Sequence, residues 1–267
     1  MGIKKHKYGL VKLNPLAVSV LLSLPVVAQA ASVSMPGGQI VDMNGVSVVN
    51  INTANSSGLS HNVYDQLNVD KSGLIFNNST KGADTTLAGR VSGNANRTSG
   101  AAKVILNEVT SKDKTVIDGK IEVAGTKAQV IIANPNGITV NSSGFINTVK
   151  TTLTTGTPDV QQGTLKGYSV AGGTLTVNEI TSNSPTEILA RSVVVDGKVS
   201  ADQLIVIAGN NYVNTKTQVA GTVAGAEEKS AYGIDISQLG GMYANRISLI
   251  STESGVGVRN AGVVAGG

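Results

Sequence analysis

Residues 131–148, IIANPNGITVNSSGFINT, decide how this chain folds. The apolar run 131–133 stops at Asn134-Pro135-Asn136-Gly137, a second run covers 138–140, and a third begins after Ser142-Ser143-Gly144. Asn in the first place of the turn, Pro with its preset φ in the second and Gly in the fourth fit a type I turn. Runs this short, rich in β-branched residues and closed by turn formers, are strand signals.

The same punctuation recurs along the chain. Short runs stand at 46–51, 73–76, 103–109, 128–133, 186–190, 192–199, 202–208 and 246–251, punctuated by Gly, Asn, Asp-Gly or Pro-Asn-Gly. No convincing helical stripe is present; the best candidate, residues 227–239, is broken by Gly233. One unit repeats. VIDGKI at 116–121 returns as VVDGKV at 194–199, and each is followed by a second apolar run, AQVIIANPN and DQLIVIAGN. At about 20 residues per turn of a solenoid, this separation predicts about four turns. Spacing of this kind, with few two-residue loops, favours stacking each strand on the one a full turn earlier, which makes a parallel β-helix. The corners of such a coil need Gly and Asn able to adopt φ > 0. Its interior is expected to hold Val130, Ile132, Val194, Leu204 and Val206 in one elongated core.

Composition agrees with a solenoid. The 267 residues can bury a sizeable core, yet aromatics are 3%, Trp is absent, and Phe76 and Phe145 are the only phenylalanines. Val, Ile, Leu and Ala must therefore fill thin, repeated layers. Charged residues are 14%, which is low for a globular surface, so Asn, Ser, Thr and Gly are expected to cover most of it. The net charge of +4 is confined to the first thirty residues, where Lys4, Lys5, Lys7 and Lys12 meet no acid. The remainder is neutral and has no basic stripe, which argues against nucleic acid as a partner of this region. Cysteine is absent, so neither a disulfide nor a Cys-ligated metal holds the fold, and no cofactor motif is present.

Residues 1–30 read as a signal peptide addressed to the Sec export machinery. A basic start precedes the apolar stretch 15–27, and Ala28-Gln29-Ala30 fits the small-x-small cleavage rule, which places Ala31 at the new amino terminus. The stretch is shorter than the ~20 residues of a spanning helix.

NPNGI at 134–138, within its flanking sequence, resembles the signature of the amino-terminal secretion domain of two-partner secretion exoproteins. That family comprises filamentous-haemagglutinin-like adhesins, related haemolysins and contact-dependent inhibition proteins of Gram-negative bacteria. Other segments agree: GLSHNVYDQLNVDKSGLIFNNS (58–79), ILNEVT (105–110), GKIEVAG (119–125) and TTLTTGTP (151–158). Residues 239–262 look like the start of the repetitive shaft in the same proteins.

The resemblance implies an all-β, right-handed parallel β-helix over residues 31–267, with an amino-terminal cap and small extra-helical β elements, the part 239–267 entering the shaft. It further implies export through the periplasm to the medium or cell surface. The partner would be a cognate outer-membrane β-barrel transporter whose POTRA domains bind the unfolded domain, with Asn134, Pro135, Asn136, Gly137 and Ile138 as the recognition motif. Receptors on host or bacterial cells would be engaged by the rest of such a protein, of which this chain is read as the amino-terminal part.

Two departures stand out. A second family motif, Asn-Pro-Asn-Leu, is here Asn94-Ala95-Asn96-Arg97, and the missing Pro weakens a specific role for it. A Cys-x-x-Cys found after the main motif in haemolysins and inhibition proteins is replaced by Val140 and Ser143, which leans toward an adhesin.

The alternative is a carbohydrate-active β-helix enzyme of the cell surface. Such a lyase needs clustered carboxylates for Ca²⁺ and a basic residue. Here Asp84, Asp118, Asp159 and Asp196 are scattered, and Glu227-Glu228 look like a solvated loop. Beyond the signal, the single histidine, His61, adjoins Ser60 in sequence, which supplies no triad; a loop or cap histidine is expected. The sequence therefore points to no catalytic residue.

Overall fold

The computed structural model describes residues 33–96, 98–225 and 230–267, and every helix or strand among them is a strand. Ala28, Ala30 and Ala31 of the expected cleavage site, Arg97 and the Glu227-Glu228 pair lie outside the described residues.

The chain winds into a parallel β-helix with three sides. Side one stacks Val46–Asn50, Leu74–Asn78, Ile121–Gly125, Ser143–Ile146, then 180–182, 198–201, 241–244 and Val263–Gly266. Side two stacks Leu59–Tyr64, Val104–Val109, Ala128–Ala133, Thr148–Thr154 and Thr186–Ala190, then 203–208 and 246–251. Side three begins at the bridge Val69–Ile117 and continues through Ile138–Val140, 174–177, 192–195, Tyr232–Ile236 and Gly257–Asn260. Parallel strands need such long crossovers, because hairpins join only antiparallel ones.

Alternation along each strand sends every second side chain inward. One core results, with Phe76, Ile121 and Val199 from side one, Ile105, Val130, Ile132, Leu204 and Val206 from side two, and Ile117, Val177 and Ile234 from side three. Val194 departs from the expectation. Its neighbours Val193 and Val195 are fully buried core residues, and Val194 points out at half burial, stacked between Thr176 and Asp235. Three valines in a row carry no parity of their own, so the inward phase is set by register.

The repeat also closes in fewer turns than its length predicts. Thr115, Ile138, Leu175 and Val193 stack directly, so the two copies lie three turns apart, with steps of 23, 37 and 18 residues. The long step carries a hairpin. The shared glycines have a different reason from the expected corner φ: a Cβ on Gly119 would sit 2.0 Å from the carbonyl oxygen of Asp70, and one on Gly197 1.8 Å from that of Asn178.

The amino-terminal end is closed by antiparallel pairs. Val33–Ser34 pairs with Gln66–Leu67, and Gln39–Met43 folds back on Val46–Asn50 through an Asn44-Gly45 turn with φ of 56° and 82°. A small hairpin, Ala83–Thr85 with Gly89–Val91, covers side one, and Glu122 accepts the Thr86 and Leu87 backbone N–H groups at 2.8 and 2.9 Å. A larger antiparallel sheet lies over side two. Its strands are Thr157–Gln161, Thr164–Val170, Asn211–Asn214 and Val219–Thr222. Tyr168 and Val213 of this sheet pack on the outward residues Leu59, Leu106, Ile131, Leu189 and Ile207 of the coil.

The expected Asn-covered surface needs correction. Asn62, Asn77, Asn78, Asn94, Asn107, Asn134 and Asn211 are all buried. Several of their amides bond to the next turn: Asn78 Nδ2 donates to the Thr126 carbonyl as well as to that of Ala102 in its own turn, and Asn107 Nδ2 to that of Ile131.

Candidate functional site

The turn 134–137 lies at the corner between sides two and three. The Gly137 N–H donates to the Asn134 carbonyl at 3.1 Å, closing the expected turn, and Gly137 has φ of 119°. Asn134 is wholly buried. Its Nδ2 donates to the Asp113 carbonyl and to Thr115 Oγ1, both at 2.9 Å. Its Oδ1 accepts the Asn136 backbone N–H at 3.0 Å and Asn136 Nδ2 at 3.1 Å. Asn136 Nδ2 also donates to the Ser111 carbonyl at 2.8 Å. Both amides thus clamp the corner to segment 111–115 of the preceding turn. Downstream, the Asn134 N–H donates to the Thr154 carbonyl at 2.9 Å. Ile138 belongs to the core, so Pro135 and Asn136 alone among the five keep partial exposure.

Asn94-Ala95-Asn96 repeats the geometry at the corner between sides one and two. Asn94 is buried, its Oδ1 accepts the Asn96 N–H at 2.9 Å, and its Nδ2 donates to the Ile51 and Asn77 carbonyls at 2.9 and 3.0 Å. Asn96 Nδ2 reaches the Asn50 carbonyl at 3.3 Å. The missing Pro leaves this hydrogen-bond pattern in place, so the two motifs are one device used twice. Asn-x-Asn is common to both corners, but the spacing alone does not mark the device, because Asn50-Ile51-Asn52 shares it while the Asn52 N–H donates to Asn62 Oδ1 instead.

The residues weighed for catalysis do not converge. His61 lies in the strand Leu59–Tyr64 and not in a loop, with its Nε2 2.7 Å from Glu108 Oε2. Ser60 turns to the opposite face, where its hydroxyl donates to the Asn52 carbonyl. Asp118 accepts from Asn141, Asp159 from Tyr212, and Asp84 faces Arg90 at the surface. Among the described residues no group of three or more His, Asp or Glu could hold a metal ion.

Two ion pairs with buried members have no counterpart in the sequence pattern. The Glu187 carboxylate is held by Lys150 Nζ at 2.9 Å and by the Thr152 and Thr217 hydroxyls. Burial and the Glu187 charge together push the Tyr168 hydroxyl well above the ordinary tyrosine range. Arg191 meets Glu253 through Nε at 3.4 Å and Nη2 at 3.3 Å. Pairs separated by 30 to 62 residues in sequence leave no local pattern to read.

Comparison with known proteins bears on the whole chain. The family model described as TPS secretion domain matches residues 26–266. A protein named Toxin CdiA from Yersinia pestis is 43% identical over 267 residues, covering 94% of this chain and 8% of the relative. One named tRNA nuclease CdiA-2 from Burkholderia pseudomallei is 43% identical over 232 residues, 85% of this chain and 7% of the relative. The chain thus spans less than a tenth of the length of these curated relatives. A crystal structure of a filamentous hemagglutinin secretion domain superposes with a TM-score of 0.83 at 36% identity, covering 88% of this chain and 84% of that one. Proteins named as toxins and a hemagglutinin secretion domain both match, so the comparisons favour neither adhesin nor toxin.

Proposed function

This chain belongs to the TPS secretion domain family, the targeting domain of exported or surface-displayed exoproteins, and we propose that its Asn134–Ile138 motif is read by a cognate outer-membrane transporter before the domain folds. The observation that carries this reading is burial. Asn134 and Ile138 are closed off in the folded coil, so a transporter that contacts them meets the extended chain. The POTRA domains of the transporter would hold that chain in the periplasm. On emergence the corner closes against segment 111–115, and the first turns template those that follow.

Residues 1–30 act as the Sec-dependent signal in this reading, residues 31–267 form the secretion domain, and 239–267 lead toward the shaft. Catalysis is assigned to no residue of the domain. The nuclease activities in the relatives' names belong to proteins over ten times the matched length, and receptor binding is likewise assigned outside this region.

The test uses isolated POTRA domains of the cognate transporter as bait. Domain diluted from urea should be retained, and prefolded domain should pass through. Equal capture of the folded domain would refute reading in the unfolded state. Mass spectrometry of exported chain should find its amino terminus within a residue or two of Ala31; an intact Met1 would refute the processing.

A further inference from the structure

The geometry points to the four-stranded sheet over side two as a two-part strap that closes as a separate unit once the chain through residue 222 is available. This rests on the placement of the strands alone and stands whether or not the transporter reads the Asn motif. The first hairpin, 157–170, leaves the coil after the strand Thr148–Thr154; the second, 211–222, leaves after residue 208. Between them the coil completes the strands Thr186–Ala190 and 203–208 of side two. The halves join through Thr164–Val170 and Asn211–Asn214, paired from Gly167–Asn214 to Val170–Asn211.

What the strap covers gives it a purpose. Leu106, Ile131, Leu189 and Ile207 point away from the coil core and form a separate apolar stripe with Leu59. That stripe needs Tyr168 from the first half and Val213 from the second. A chain wound only as far as residue 208 leaves the stripe incompletely covered, because the strand bearing Val213 is still missing. An uncovered apolar stripe of this kind is prone to association.

Two latches tie the strap down, one at the turn of each hairpin. The first-hairpin turn Gln162-Gly163 places the Gly163 carbonyl where Asn55 Nδ2 and Ser57 Oγ donate to it at 2.6 and 2.9 Å. In the second hairpin, Thr217 donates its hydroxyl to buried Glu187. Thr217 holds a left-handed φ of 61°, with its N–H bonded to the Asn214 carbonyl. A β-branched residue there is an outlier that the surroundings must enforce. The later half of the strap therefore carries both the last apolar cover and the last partner of a buried carboxylate.

The absence of cysteine allows a direct test on the exported chain. Ile131 and Ile132 are adjacent and fully buried, one under the strap and one in the coil core. Single reporters Ile131→Cys and Ile132→Cys are pulsed with maleimide, with and without Val213→Asp. Val213→Asp should accelerate labelling at position 131 by at least about tenfold, as for a locally opened unit, and leave position 132 protected. Labelling at both positions would show that strap and coil open together; protection of both would show that the strap does not guard the stripe. Either result overturns the proposal. The milder Thr217→Ala should raise labelling at 131 by a smaller factor with 132 unchanged, and an unchanged rate at 131 would remove the latch.

Discussion

Replacing Asn134 and Asn136 by alanine, one at a time, separates a motif that is read from a corner that merely holds. Asn134→Ala deletes four hydrogen bonds in a wholly buried site and leaves the Asp113 carbonyl and the buried Thr115 hydroxyl without that partner. At about 1 kcal/mol per net bond, with stranded partners adding to it, the loss is about 3–5 kcal/mol. Asn136→Ala loses its Nδ2 bonds to Ser111 and Asn134 at a half-buried position and keeps its backbone bond. Water can replace part of these, so the loss is about 1 kcal/mol. The assay pairs urea midpoints of the refolded variants with extracellular yield in cells carrying the partner transporter. If the motif matters only for stability, secretion should fall steeply for Asn134→Ala and barely for Asn136→Ala. Reading in the unfolded chain instead makes both fall strongly, although Asn136→Ala folds nearly as well as the parent. Near-normal secretion of folded Asn136→Ala would refute the recognition role, and a larger destabilisation at 136 than at 134 would refute the energetic ranking.

Ile132→Asp buries an unpaired charge in the core and should abolish cooperative folding, while Val194→Thr, at an outward half-buried site, should shift stability by no more than about 0.5 kcal/mol in the same urea titration. Ala95→Pro should stabilise by about 0.4–1 kcal/mol, because the matching position of the equivalent clamp is already Pro135; a lowered midpoint would show that the two corners differ in backbone. Burial raises the Tyr64 and Tyr168 hydroxyls from 10.0, so both stay neutral in the fold while their unfolded counterparts ionise. Stability should hold below pH 10 and decline above it, with tyrosinate absorbance from these two appearing only as the coil unfolds. Their ionisation in folded protein would contradict that burial.

Much of the coil was legible because it is local. AQVIIA and TEILA coincide with the strands Ala128–Ala133 and Thr186–Ala190, and the Asn-Pro-Asn-Gly turn closes as its residue types dictate. Register was legible only where polar residues alternate, which is why Val194 was placed on the wrong face of an all-valine run. Extra-helical β elements were implied by the family resemblance, but the residues of the strap did not mark its hairpins, for a chemical reason. Its first turn is Gln162-Gly163, with φ of 48° and 71°; this backbone usually selects Asn or Asp before Gly. That insertion also stretched one turn of the coil to 37 residues and spoiled the estimate from a uniform repeat.

The asparagines carry the deepest difference between sequence and fold. An amide on the surface of a turn and an amide inside a solenoid look alike in one dimension, since both stand beside Gly and Ser. Parallel strands with aliphatic side chains on both neighbours have little to fix which residue stacks on which. An Asn whose Nδ2 must meet a carbonyl of another turn removes that freedom, because a slip would bury an unsatisfied donor at about 1–3 kcal/mol. The first turns are where this matters, since each later strand copies the register beneath it. Asn78, Asn94, Asn107 and Asn134 each make such a bond, to the carbonyls of Thr126, Ile51, Ile131 and Asp113, across 21 to 48 residues, and all four lie in or beside the first three turns of side two. A register set at these positions then propagates through turns whose interiors are almost wholly Val, Ile and Leu.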